Sequence, residues 1–264
     1  MRRALFLAFA VLTSCNAFEF SPNQVFDNDT PRNLNEVNIS RLKSQAGDDT
    51  ITIAFVGDSQ RFYDEVEEFV DKVNTIDGVD FVLLAGDVTD FGLLDEFEWI
   101  EESFSRLDKP YIAVIGNHDV IGNGEEVFER MFGPLNYSFV YKGVKFVVHN
   151  TNGREYTDVA IPDISWLENE FSREESEAVS HIVGVSHVPP TNGDFNPDLV
   201  EPYAALLART PDFLVSLHGH VHDHEDHYPF NDGVRYITSY AFAQNTFVLL
   251  KIVNGEIIKE TVSY

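Results

Sequence analysis

Tyr111-Ile112-Ala113-Val114-Ile115-Gly116-Asn117-His118-Asp119 is the stretch whose reading decides the fold. Its apolar run predicts a buried strand, and the switch at Gly116 puts three chemically active side chains just past that strand's C-terminal end. That edge is where open α/β sheets carry out their chemistry. Asn117 offers an amide oxygen to a metal, His118 an imidazole that can ligate or move a proton, and Asp119 a carboxylate that can orient the imidazole. Gly, Asn and Asp are also ordinary turn residues, so the surroundings must decide.

Upstream, Ile51-Thr52-Ile53-Ala54-Phe55-Val56 stops at Gly57-Asp58, and Asp80-Phe81-Val82-Leu83-Leu84-Ala85 stops at Gly86-Asp87. Between these strands and the quoted one, Phe62, Val66, Phe69, Val70 and Val73, then Leu93, Phe97, Ile100, Phe104 and Leu107, recur at helical spacing. The rhythm predicts an α/β fold with a largely parallel sheet. Downstream come a helix near 125–131, a hairpin of 137–141 and 144–149 turning at Lys142-Gly143, and a helix through Ile164, Leu167 and Phe171. A strand over 181–186 then leads into His187, a helix over 199–207 crosses back, and a strand over 213–217 leads into His218-Gly219-His220-Val221-His222. Three β-rich runs, 235–239, 246–253 and 257–262, suggest a meander that builds a second sheet. Two facing sheets with helices outside is the expected architecture.

The 264 residues, 44% hydrophobic, are enough for one sizeable core. Lys and Arg number 18 against 44 Asp and Glu, a net charge of -26, which argues against a nucleic-acid backbone or an anionic membrane surface as partner. Anionic small substrates stay possible, because bound divalent metals can invert the local field of an acidic protein. The single cysteine, Cys15, excludes an intramolecular disulfide. It closes the run Leu12-Thr13-Ser14-Cys15 after a basic Arg2-Arg3 head and an apolar stretch too short to span a bilayer. This resembles a bacterial lipoprotein signal. The resemblance implies removal of residues 1–14, lipid on Cys15, and export to the periplasmic or cell-surface side of a bacterial membrane, with a lipid anchor. Residues 15–49, rich in Asn, Asp, Ser and Pro, are expected to form a flexible tether reaching about 30 Å. One folded domain is expected over 50–264.

Asp58, Asp87, Asn117, His187, His220 and His222 each stand at or just past the C-terminal end of an expected strand. Singly, each is an ordinary cap or turn residue. Jointly they offer oxygen and imidazole donors to one or two divalent ions such as manganese, iron, zinc or magnesium, with no thiolate in the set. Together with Gln60, His118 and Asp119, the motifs Gly57-Asp58-Ser59-Gln60, Gly86-Asp87-Val88-Thr89-Asp90, Gly116-Asn117-His118-Asp119, His187 and Gly219-His220-Val221-His222 resemble the calcineurin-like metallophosphoesterases.

That resemblance covers roughly residues 51–264 and implies a four-layer αββα sandwich with two mixed β-sheets flanked by helices. It implies two divalent metal ions bridged by Asp87, with Asp58 and His222 on the first and Asn117, His187 and His220 on the second. A bridging hydroxide would attack a phosphorylated small-molecule substrate. His118, held by Asp119, would neutralise charge or protonate the leaving oxygen.

One position departs from the family's pattern, which generally has His where this chain has Gln60. A neutral amide oxygen ligates more weakly than imidazole and shifts preference from zinc toward manganese or magnesium, unless Gln60 only neighbours the ligands. Branches resembling manganese-dependent nucleotide-type diphosphatases also carry Gln here. The reading is thus a phosphoesterase for mono-, di- or diphosphate esters, with a nucleotide-type diphosphatase or a non-catalytic metal-binding surface module as alternatives. Arg61, Tyr63, His149, Asn150 and Arg154 are either substrate contacts or ordinary surface and hairpin residues. His224 and His227 read as part of a solvated loop.

Overall fold

The structure, a computed structural model, describes residues 26–45, 47–172 and 179–264. The expected signal over 1–14 and Cys15 lie outside the described residues. In chain order, helix α1 (Leu34–Lys43) is followed by β1 (Ile51–Val56), α2 (Tyr63–Asn74), β2 (Phe81–Leu84), α3 (Leu94–Phe104) and β3 (Tyr111–Ala113). Next come α4 (Gly124–Met131), β4 (Tyr137–Tyr141), β5 (Val144–Val148), α5 (Ile164–Phe171), β6 (His181–Val185), α6 (Val200–Arg209) and β7 (Phe213–His218). Strands β8 (Asp226–His227), β9 (Tyr236–Thr238), β10 (Thr246–Val253) and β11 (Glu256–Ser263) complete the chain.

Two mixed sheets result, a 5-stranded one ordered β11-β10-β1-β2-β3 and a 6-stranded one ordered β4-β5-β6-β7-β9-β8. The alternation of side chains along a strand explains how they stack. In β1, Ile51, Ile53 and Phe55 enter the core between the sheets, where they meet Phe146, Val183, Val185 and Leu217. Ala54 and Val56 face the other way, into a core shared with Val66, Phe69 and Val70 of α2 and with Phe97 and Ile100 of α3. On the far side, Leu167 and Phe171 of α5 and Tyr203 and Leu207 of α6 cover Val147 and Ile182. The layers are therefore helix, sheet, sheet, helix, and β1, β2 and β3 run parallel to one another. Strands β5, β6, β7 and β9 are likewise parallel, so the ends of both sets deliver their loops to one edge.

Two expectations are corrected. The last three β runs are not one meander: β9 pairs with β7 in the second sheet, while β10 crosses to the first and runs antiparallel to β1 from Ile51↔Ile252 to Phe55↔Val248. The chain turns across the gap where Gly57 N donates to the Tyr240 carbonyl at 3.1 Å. Strand β10 fits there because Val248 and Leu250 fill the inter-sheet core while Phe247 and Leu249 fill the helix side.

The tether expected through residue 49 is also wrong over 34–43. Helix α1 docks on the fold, with Leu42 fully buried in the inter-sheet core. Asn35 satisfies edge strand β3 as another strand would: its Nδ2 donates to the Ala113 carbonyl at 3.0 Å, and Ala113 N donates to its Oδ1 at 2.8 Å. An unpaired buried edge is costly, which gives a polar helix a reason to be held.

Candidate metal centre

Seven of the expected residues converge where β1, β2, β3, β6 and β7 end. Two triads, Asp87 with His187 and His220, and Asp58 with Asp87 and His222, each bring one donor atom per residue within 4.8 Å of one another. Asp87 belongs to both. In the first, Asn117 Oδ1 lies 3.1 Å from His187 Nε2 and 2.9 Å from His220 Nδ1, and His187 Nε2 lies 3.3 Å from Asp87 Oδ2. In the second, His222 Nε2 is 3.3 Å from Asp58 Oδ1. Adjacent donors on an octahedral ion with bonds of about 2.1 Å sit about 3 Å apart, so these separations fit divalent ions among the donors. His187 Nδ1 meets the Ala85 carbonyl at 2.6 Å, which fixes the proton there and leaves Nε2 as the donor atom facing the cluster.

The backbone is bent to achieve this. Asp58 (φ 57°), Gln60 (φ 39°), Asp87 (φ 51°), His220 (φ 69°) and His222 (φ 62°) all adopt the left-handed region. Asp and His tolerate it better than most residues, yet each such position costs on the order of 1 kcal/mol or more. Gly116 shows how tight the approach is, since a Cβ there would lie 2.0 Å from Asp87 N and 2.2 Å from Asp87 Oδ1.

Charge is concentrated accordingly. Burial opposes ionisation of Asp87, but His187 and then His118 overcome it and hold the carboxyl below its usual range. Burial likewise opposes charge on His187, and the Asp87 carboxylate outweighs it, raising the imidazole. His222 is raised by its contact with Asp58, whereas His220 is lowered by burial and then by His187.

His118 sits at the rim with its side chain 34% exposed. Its backbone N–H donates to Asp87 Oδ1 at 2.9 Å, and its Nδ1 meets the Asp90 carbonyl at 2.8 Å, with the Asp90 carboxylate 3.7 Å away. Asp119 does not orient it. Asp119 is fully buried and accepts from Gly116 N (2.8 Å), Val88 N (3.1 Å), Thr89 N (2.8 Å) and Thr89 Oγ1 (2.9 Å). It ties the β2 and β3 loops together. Burial and then the Asp87 charge push its carboxyl upward, against the pull of its donors. Residues 118–120 form a 3₁₀ turn, in which successive side chains diverge by about 120°. Asn117, His118 and Asp119 therefore point into the cluster, to the rim and back into the fold.

Gln60 is buried in the cluster and donates Nε2–H to Asp87 Oδ2 at 3.3 Å, so in this arrangement it holds a ligand rather than offering its own oxygen. Arg61 pairs with Asp90 at 3.4 Å, Arg154 pairs with Asp194, and Asp194 Oδ2 lies 3.3 Å from His220 Nε2. Tyr63 packs edge-on against Trp99, Asn150 Nδ2 donates to the Tyr156 hydroxyl at 2.9 Å, and His149 is buried with Nε2 2.9 Å from the Tyr203 hydroxyl. Two site residues had no assigned role in the sequence. Asp90 stands within a quoted motif, three residues after Asp87, and that spacing was its only signal; Asp194 had none.

A family model for calcineurin-like phosphoesterases matches residues 51–224, the stretch holding every residue of the cluster. The chain belongs to the calcineurin-like phosphoesterase family. This phosphoesterase is 27% identical over 156 residues to a probable glycerophosphodiester phosphodiesterase, GpdQ, of Arcobacter nitrofigilis. That match takes in 54% of the chain and 56% of the relative, so it spans about half the length of each. Among solved structures it is similar to a dimetal phosphatase from Danio rerio, with TM-score 0.62 at 13% identity over 81% of this chain and 99% of that one. It is also similar to a purple acid phosphatase from yellow lupin seeds (Lupinus luteus), with TM-score 0.58 at 13% identity over 83% of this chain and 52% of that one. At such identities the likeness is one of fold.

Proposed function

We propose that this phosphoesterase hydrolyses a small phosphorylated substrate at a centre for two divalent ions. The observation that carries this reading is Asp87, whose one carboxylate is shared by two donor triads beside His118. Asp87, Asn117, His187 and His220 would hold one ion, and Asp58, Asp87 and His222 the other, with Gln60 holding the shared carboxylate. Such ions supply Lewis acidity toward phosphoryl oxygens and acidify water.

The chain's own residues do the rest. His118 gives its Nδ1 to the Asp90 carbonyl, so Nε2 is the nitrogen left to pass a proton to a departing oxygen. General acid help of this kind contributes about 10²- to 10⁴-fold. The likeness to a probable glycerophosphodiester phosphodiesterase favours a diester. The chain's N-terminal resemblance supports a lipid anchor on Cys15; Cys15→Ala should then lose palmitate labelling and membrane retention.

The test is hydrolysis of phosphomonoesters, phosphodiesters and nucleoside diphosphate derivatives after manganese, zinc, iron or magnesium loading. Diester turnover lost in both Asp87→Asn and His118→Ala supports the proposal. Metal binding without turnover on any substrate would replace it with a metal-binding module.

A further inference from the structure

The three histidines of the cluster are oriented by different means. His187 is fixed by the Ala85 carbonyl, and His222 contacts a fellow ligand, Asp58. His220 turns Nδ1 toward Asn117 Oδ1, and to give its lone pair to an ion shared with that oxygen it must carry its proton on Nε2. Asp194 Oδ2 lies 3.3 Å from that Nε2.

Asp194 is itself held at several points. Its N–H donates to Asn192 Oδ1 at 2.9 Å, its carbonyl accepts from Arg154 N at 3.2 Å, and its Oδ1 accepts from the Arg154 guanidinium. Arg154 comes from a different loop, the turn at Gly153–Glu155. The two loops are pressed together, because a Cβ on Gly153 would lie 2.8 Å from Asn196 Cβ and 2.9 Å from Asn196 N. One carboxylate oxygen is occupied by Arg154, and the other faces the histidine.

We propose that Asp194 is a positioning residue that accepts the Nε2 proton of His220, fixing that ring's tautomer and angle so that Nδ1 faces the ion, and that Arg154 holds Asp194 in place. The inference rests on the two-ion reading of the site. A carboxylate behind a ligating histidine is a recurrent means of raising metal affinity, and losing one costs about 10- to 100-fold.

The test is calorimetric titration of Mn²⁺ into the metal-free full chain, with thermal unfolding of the same metal-free samples. Asp194→Ala is expected to weaken the first ion bound about 10- to 100-fold while the metal-free unfolding midpoint stays at the wild-type value. Asp194→Asn, whose amide oxygen still accepts from Nε2–H, is expected to keep most of that affinity. Arg154→Met, which removes the guanidinium but leaves the His220 and Asp194 side chains themselves unaltered, is expected to weaken the ion less than Asp194→Ala. Wild-type affinity in Asp194→Ala, or equal loss in the Asn and Ala variants, would overturn the positioning role. Wild-type chain that takes up no ion at all would instead overturn the two-ion reading beneath it.

Discussion

The two halves of the cluster share Asp87 and little else. In the inner half the His187 side chain is 0% exposed and that of His220 12%, and each ring has a partner behind it, the Ala85 carbonyl or the Asp194 carboxylate. In the outer half the His222 side chain is 46% exposed, and the position where the family usually has a histidine is Gln60, turned to Asp87. Buried, pre-oriented donors lose less freedom on binding, and their field is less screened. The difference teaches that one carboxylate can join two unlike groups of donors, one buried and braced from behind, the other half-open to solvent.

Asp87→Asn should break the comparison altogether, because both halves lose their shared charge. Turnover is expected to fall on the order of 10³-fold or more, and calorimetry should find both ion-binding events gone. His222→Ala separates the halves: the second ion should bind at least about 100-fold more weakly while the first is unchanged, since a direct ligand matters at least as much as an outer-shell partner. Equal weakening of both ions would show the halves to be one unit.

Acidity sets the window in which the halves can be compared. Burial, opposed by the Val147 carbonyl, holds His149 down at about 4 against an ordinary 6.5. The folded chain keeps this ring neutral while the unfolded chain protonates it below 6.5, so the contribution is whole above that value. It is lost as pH falls from 6.5 through about 4, to about 3 kcal/mol in all. Denaturant midpoints of the metal-free chain between pH 7 and 4 should fall accordingly, and His149→Gln should flatten that slope. The smallest effect is expected from Gln60→His, which adds an imidazole to the outer half. The second ion should tighten by up to about tenfold, zinc should gain over manganese, and metal-competition titrations would read both.

Much of the site was legible in the sequence because strand ends followed by Gly and a donor residue are a local signal. Asp58, Asp87, Asn117, His187, His220 and His222 were singled out that way, and the structure brings them together. What failed depended on geometry that residue types do not encode. Asp119 stands next to His118 in the chain, yet the 3₁₀ turn sends the two in different directions, and a backbone carbonyl at Asp90 does the orienting. Asp194 reaches His220 only because two loops fold together. Helix α1 was not legible because, of its three buried residues, two are Asn35 and Asn38 and only Leu42 is apolar, which leaves little apolar periodicity to read. The path of β10 into the first sheet was equally hidden, since an apolar strand does not say which sheet it will join.

The most direct test of the central claim, two unlike ion sites joined by Asp87, is calorimetric titration of Mn²⁺ into the metal-free wild type beside Asp87→Asn and His222→Ala. The account predicts two unequal binding events in the wild type, only the tighter in His222→Ala, and none in Asp87→Asn. Two equal events, or two that survive in Asp87→Asn, would contradict it.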